Sequence, residues 1–199
     1  MRDTLVTAAV RHPVTIDEVK AQCRVQQDWE DALFAGWISG ITQALQPGIR
    51  RQLITETRKT TWDGPPVWSW VRGEYSLDFG RSPVQSITNV QYIDTAGVTQ
   101  TLDASIYRLA YKDGPIARVV VNPDQTFPEV MLRSESVWAT YVCGYGDYWG
   151  DVPEPIRQWI ILQVAGRNEF REPLTEGQVS ELPYNFTDGL LDSYRVETF

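Results

Sequence analysis

The sequence predicts an α+β fold: a small helical bundle, an inserted antiparallel β-rich region and an extended C-terminal tail. Three observations predict it. Apolar residues recur at helical spacing between residues 15 and 46 and again between 154 and 171. From about 51 to 143 the pattern turns to alternation, rich in Thr and Val and punctuated by Gly and Pro. From 173 onward the chain is acidic yet carries large apolar residues. The expected organisation is a flexible N-terminal arm over 1–12 and a bundle built from 13–50 and 150–172. A β-rich insertion spans 51–149, and an acidic tail spans 173–199.

The first helix is expected from Thr15 to Arg24. Thr15 and Glu18 have the spacing of a capping box, and Ile16, Val19 and Cys23 share a face. The second is expected from near Asp28 to residue 46, with Asp28 as N-cap and Pro47-Gly48 as its end. Trp29, Leu33, Trp37, Ile41 and Leu45 fall every four residues, widened by Phe34 and Ile38, and read as core packing rather than a ligand box. Strand signals follow at Leu53–Trp62, Ile87–Ile93, Val98–Leu102, Ile106–Tyr111, Ile116–Val121 and Val137–Cys143. Asp94 to Gly97 forms a hairpin loop between two of them. Val152-Pro153-Glu154-Pro155 marks a third helix start, and Pro173 its stop. Ile156, Trp159, Ile160 and Val164 make one apolar face there. Ile161 and Leu162 lie outside it, so this helix is either buried on two sides or packed against another subunit.

Composition narrows the function. The 199 residues carry 26 acidic and 18 basic side chains, a net charge of −8, which argues against a module that grips nucleic-acid phosphate. The lone histidine, His12, reads as a surface residue. Cys23 and Cys143 have no metal-ligand spacing and read as free buried thiols rather than a disulfide, which suits cytoplasmic synthesis. No segment has the length of a secretory signal or a membrane span. Gly144-Tyr145-Gly146-Asp147 lacks the third glycine and the strand–helix context of a phosphate loop and reads as a tight turn. Asp147, Asp151 and Glu154 read as a solvated loop capping the next helix rather than a cation site. The sequence offers no catalytic constellation, and no cofactor or metal is expected. Trp62 to Trp70 reads first as strand edge and interface, second as a platform for sugars or bases. The tail carries seven carboxylates and two arginines from Glu169 onward; it either covers its own core or orders on a partner.

The order of these motifs resembles the head–tail adaptor (connector) proteins of long-tailed bacteriophages and related gene transfer agents, in the branch with a β-rich insertion. Pro13 to Lys20 is similar to the family's "P-V-(S/T)-L-x-E-A-K", followed here by Arg24-Val25 and the acidic Asp28 to Asp31. Leu53 to Thr57 is similar to "L-I-T-Q-T", and Arg81 to Ile87 to "R-P-P-(L/V)-Q-S-(V/I)". Tyr92 to Leu102 fits its hairpin. Gly144 to Asp147, Val152 to Ile156 and Asn168 to Glu172 resemble "G-Y-G-D…V-P-x-P-I…Y-E-N-R-E". Leu190 to Arg195 resembles "L-L-x-x-Y-R". Trp68 to Trp70, Gly166 and the extension Val196 to Phe199 depart from the pattern.

The resemblance implies a non-enzymatic virion protein of the neck, made in the host cytoplasm. It implies a ring of twelve copies under the portal that extends the DNA channel and receives a stopper or tail-completion protein. Packaged double-stranded DNA would pass through the lumen without sequence recognition, and no membrane is involved. Phe186, Leu190, Leu191, Tyr194 and Arg195 are then the candidates for docking on the portal. Trp29, Trp37, Trp159, Ile161 and Leu162 are the candidates for the subunit interface. The alternatives are a tail-completion or other tail-side protein, and a glycan-binding module working through Trp68 and Trp70.

Overall fold

A computed structural model describes residues 1–171 and 187–195. The chain divides into two compact units. One comprises Met1–Ala9 and Thr55–Tyr145, the other Val10–Ile54 and Gly146–Phe199. The class is α+β, with all named strand pairs antiparallel.

The bundle unit contains α1 (Ile16–Cys23), α2 (Asp31–Ile49) and α3 (Glu154–Glu169). Both α1 and α2 pack on α3, as does a 3-10 turn at Asp188–Tyr194. Helix α3 is therefore buried on two sides by its own chain, with Ile156, Ile160, Ile161 and Val164 inside. Helix α1 begins at the expected capping box of Thr15 and Glu18 and ends on Arg24 in the left-handed region. Helix α2 departs from expectation at both ends. Asp28 does not cap it; its carboxylate accepts from buried Lys20 Nζ at 2.6 Å, and Glu30 takes the N-cap position. Pro47-Gly48 does not end it. The helix continues to Ile49, whose side chain is buried, and closes on left-handed Arg50.

The four-residue stripe of α2 also splits. A step of four residues overshoots a 3.6-residue turn by about 40°, so the four positions inside the helix drift across its surface, and Trp29 lies before its start. Ile41 and Leu45 are buried, Trp37 is half-buried, and Leu33 and Trp29 are exposed. Phe34 and Ile38 occupy the core face instead.

The β unit holds two sheets. β1 (Arg2–Thr7), β2 (Glu56–Trp62), β9 (Val137–Cys143), β5 (Val84–Ile93) and β6 (Thr99–Thr101) form the first, in that order. β3 (Val67–Ser69), β4 (Glu74–Asp78), β8 (Arg118–Val121) and β7 (Tyr107–Ala110) form the second. Strand β9 shows why the centre holds: Val137, Ala139, Tyr141 and Cys143 face inward and alternate with half-buried residues. Leu77, Phe79 and Val119 join them in one core. Strands β3 and β4 are not among the expected strands, although Glu74 to Phe79 alternates polar and apolar residues.

Residues 2–7, expected as part of a flexible arm, are a strand that pairs with β2. The reason is electrostatic as well as backbone pairing. Asp3 is largely buried, and its carboxylate accepts from Arg58 Nε (2.6 Å), Thr60 Oγ1 (3.0 Å) and the Tyr141 hydroxyl (3.0 Å). Arg81 Nε lies 3.8 Å away. The backbone at Gly80 passes so close that an added Cβ would lie 2.8 Å from Asp3 Cβ. Burial and Asp3 push the Tyr141 hydroxyl well above its ordinary value, so it serves as a donor throughout the physiological range. Asp3→Ala leaves Arg58 with Glu56 alone, takes from Arg81 its nearby carboxylate and removes the acceptor of the Thr60 and Tyr141 hydroxyls. It is expected to cost the β unit about 2 kcal/mol, read as a lowered urea midpoint for loss of sheet signal.

Candidate interaction surfaces

Helix α1 is fastened to α3 through its own cap. Glu18 Oε2 accepts from Thr15 N–H at 2.8 Å and from Thr15 Oγ1 at 2.9 Å, while Thr15 Oγ1 accepts from Glu18 N–H at 3.2 Å. The other Glu18 oxygen pairs with Arg157 Nη2. Arg157 is buried on α3, also pairs with Glu154, and stacks 4.6 Å above the Trp149 ring. Burial works against the charge of Glu18, but the Thr15 bonds and the Arg157 charge outweigh it and hold the carboxyl below its ordinary value.

A second charged contact ties the end of the helical region back to α2. Arg171 donates twice to buried Glu30, at 2.7 and 2.9 Å, and lies 5.9 Å from the Trp37 ring centre. The Arg171 hydrogen bonds hold the Glu30 carboxyl below its ordinary value. Trp37 further packs edge-on against Phe34 at 5.7 Å. Neither Arg171 nor Arg157 was singled out from the sequence, because ion pairs between distant segments leave no periodic signal.

The expected interface residues therefore separate. Trp29 precedes α2 and is 76% exposed, a true surface aromatic. Trp37, Trp159 and Leu162 are half-buried. Ile161 is buried within the bundle of the single chain. The expected docking residues separate too. Leu191 is only 2% exposed, and its turn packs on α3, so it covers its own core. Leu190 and Tyr194 are half-buried; the Tyr194 carbonyl accepts from Arg51 Nε at 3.4 Å. Arg195 is exposed and lies 3.6 Å from Asp192. Phe186 lies outside the described residues.

The β unit carries an exposed aromatic cluster. Trp68 packs edge-on against Tyr75 (5.0 Å) and Trp70 (6.3 Å). Trp70 is 90% exposed and Val71 98%, with Val67 also open. Beside them runs a groove of about 560 Å³ lined by Pro65, Pro66, Tyr75, Phe127, Pro128 and Leu132, among others.

Two carboxylates of the acidic loop, Asp151 and Glu154, are engaged. Asp151 accepts from the Tyr148 N–H at 3.0 Å and sits where a Cβ on Gly146 would fall, while Glu154 pairs with Arg157. Gly144 has φ of 130°, the backbone freedom expected of this turn. Among the described residues no cluster of three or more His, Cys, Asp or Glu could hold a metal ion, and no helix is long and apolar enough to cross a membrane. Cys143 is buried and Cys23 half-buried, both as free thiols. Burial and the nearby Glu56 charge raise the Cys143 thiol far above its ordinary value.

No family model matches the chain, and no curated protein does. Solved structures do match, along its whole length. A chain described as "Neck of empty GTA particle computed with C6 symmetry" superposes with a TM-score of 0.76 at 20% identity, covering 100% of this chain and 97% of that one. A chain of "Virion of native gene transfer agent (GTA) particle" gives 0.75 at 18% identity with the same coverage. A chain of "Neck of native GTA particle computed with C12 symmetry" gives 0.70 at 20%, again with that coverage. At this identity the likeness establishes a shared fold, bundle and β insertion together.

The Glu18 contacts set a pH dependence. A carboxyl held below its unfolded value stabilises the fold fully above that value, and the contribution is lost as pH falls through the lower folded value. Glu18→Gln is expected to lower stability at pH 7 and to flatten its decline between about pH 5 and 3. Helical circular dichroism during denaturant titrations at each pH checks it.

Proposed function

We propose that this chain is a structural neck protein of a phage-like particle, a head–tail adaptor whose copies form a ring beneath the portal. The observation that carries the reading is the end-to-end match in fold to chains of gene transfer agent necks, with 97% of the partner chain covered and no large unmatched domain on either side. The C6 and C12 symmetries of those necks suit a ring of twelve copies. The sequence motifs from Pro13 to Arg195 point to the same family by an independent route.

The surface chemistry supports the role. A chain of net charge −8 has little affinity for phosphate and would let packaged DNA slide through a lumen. Trp29, with half-buried Trp37, Trp159 and Leu162, is the aromatic and apolar material that the bundle keeps near its surface for a neighbouring subunit. Leu190, Tyr194 and Arg195 would contact the portal, with Phe186 upstream in the same tail. Leu191 anchors that segment to α3 rather than reaching out. The role calls for no enzymatic step and no cofactor. A stopper or tail-completion protein would bind the opposite rim of the ring.

Light scattering behind a sizing column tests the reading, with this chain run alone and with the intact portal ring from the same genome. One copy joining per portal subunit is the expected outcome. A truncation after Asn185 is expected to abolish joining while leaving the β unit folded. No association with an intact portal ring would overturn the adaptor reading in favour of a tail-side protein.

A further inference from the structure

We infer that the β3–β4 face of the β unit is a self-complementary contact through which two copies of this chain pair about a two-fold axis. The inference stands apart from the neck reading, since it concerns the free chain and residues of one unit only. Three observations converge on it.

The first is an exposed apolar edge. Strand β3 is the outermost strand of its sheet, bonded to β4 on one side. It is three residues long and follows Pro65-Pro66, so little of its backbone is open to pairing and its side chains carry the contact. Residues 67–71 read Val-Trp-Ser-Trp-Val, with no charge. Val67 in the strand is 75% exposed, and Trp70 and Val71 in the turn that follows are 90% and 98% exposed.

The second is charge. Copies of a chain with net charge −8 repel one another over most of their surface. The run from Gly64 to Val71 contains no charged side chain, and the adjoining groove has one, Glu129. Two copies meet at least electrostatic cost where both surfaces are neutral. That condition selects a second copy presenting the same face over a charged partner, which would gain nothing here.

The third is shape. The projecting aromatics and the receiving groove lie side by side and share Tyr75 and the Pro65-Pro66 segment. A knob adjacent to its own kind of hole gives an isologous contact: Trp70 and Val71 of one copy enter the Phe127–Leu132 wall of the other, and reciprocally. A patch of this kind amounts to a few hundred Å² per copy. That falls short of the roughly 800 Å² per partner of a standard stable interface, so the pairing is expected to be weak and reversible.

Sedimentation velocity on the full chain tests this, with loading from about 10 μM to about 1 mM, the range in which a contact below standard size is populated. The expected result is a monomer at the low end and a growing dimer at the high end. Trp70→Glu brings two carboxylates together across the axis and is expected to weaken dimerisation at least tenfold. Val71→Lys does the same with the opposite charge and, at a nearly fully exposed position, without loss of packing. Leu5→Glu adds the same charge on exposed β1, at the far edge of the other sheet, and is expected to leave dimerisation within about twofold of the parent. A chain that stays monomeric to about 1 mM overturns the inference, as does equal weakening by Leu5→Glu. So does a parent that remains monomeric but loses portal binding on Trp70→Glu, which would assign the patch to a neck partner. Failure of portal binding with dimerisation intact would overturn the neck reading and leave this one standing.

Discussion

The bundle depends on one closure, the parallel bridge between Ile54 and Gly146. Nearly a hundred residues of β structure are inserted between α2 and α3, and the helices can pack only if the chain leaves and re-enters at the same place. Leu53 and Ile54 are buried at the exit, and Leu53 N–H donates to the Gln46 side chain at 3.0 Å, carrying the end of α2 into the crossing. At the return, Gly146 is irreplaceable for a steric reason: the Asp151 carboxylate occupies the volume of its missing Cβ. Asp151 in turn holds the Tyr148 N–H and shapes the turn that delivers Val152 and Pro153 to the start of α3. The glycine of the Gly-Tyr-Gly-Asp motif that matters most is thus conformationally ordinary; close approach, not positive φ, demands it.

Each unit then seals itself with a charge that water barely reaches. In the bundle the guanidinium of Arg157 joins α3 to the cap of α1. In the β unit the carboxylate of Asp3 joins the N-terminal strand to Arg58, Thr60 and Tyr141. Neither arrangement needs to add net stability over an apolar equivalent, because desolvation consumes much of the Coulombic gain. What both supply is a penalty for the wrong partner. An Arg157 without Glu18, or an Arg58 without Asp3, keeps one carboxylate (Glu154 or Glu56) but loses the other in a poorly solvated place, so alternative packings of short helices or of a free N-terminal segment are disfavoured.

The elements that were legible in the sequence are those whose evidence is local. The capping box of Thr15 and Glu18, the Pro-Glu-Pro start of α3 and the alternation of Val137 to Cys143 each write their conformation into neighbouring residues. Strand β1 does not. Leu5 and Val6 are exposed and Asp3 is inside, the reverse of a half-buried strand pattern, so only its distant partners reveal it. Trp29 was misplaced because the four-residue spacing runs on past the helix start: α2 begins at Asp31, and Trp29 precedes it. The end of α2 was misjudged because Pro47 breaks a helix only when the following turn has nothing to gain, and Ile49 gains burial. Site residues followed the same division: exposure of Trp29 and burial of Ile161 and Leu191 were set by tertiary packing that composition does not report.

Acidity and aromatic surface belong to one argument. A chain that repels its own copies almost everywhere can associate only where charge is absent or paired, so the few neutral or neutralised patches define its contacts by default. The β3 edge is neutral outright. The region of Trp37 is neutralised, since Arg171 and Glu30 cancel one another beneath it. Large aromatics gather at these two places, Trp68, Trp70 and Tyr75 at the first and Trp37 with nearby Trp29 in sequence at the second. Their binding energy is thereby confined to surfaces where the long-range field does not oppose approach. Specificity in such a protein comes less from attraction at the contact than from repulsion around it. Adding a single carboxylate inside a patch is accordingly more disruptive than adding one outside, where the field is already negative.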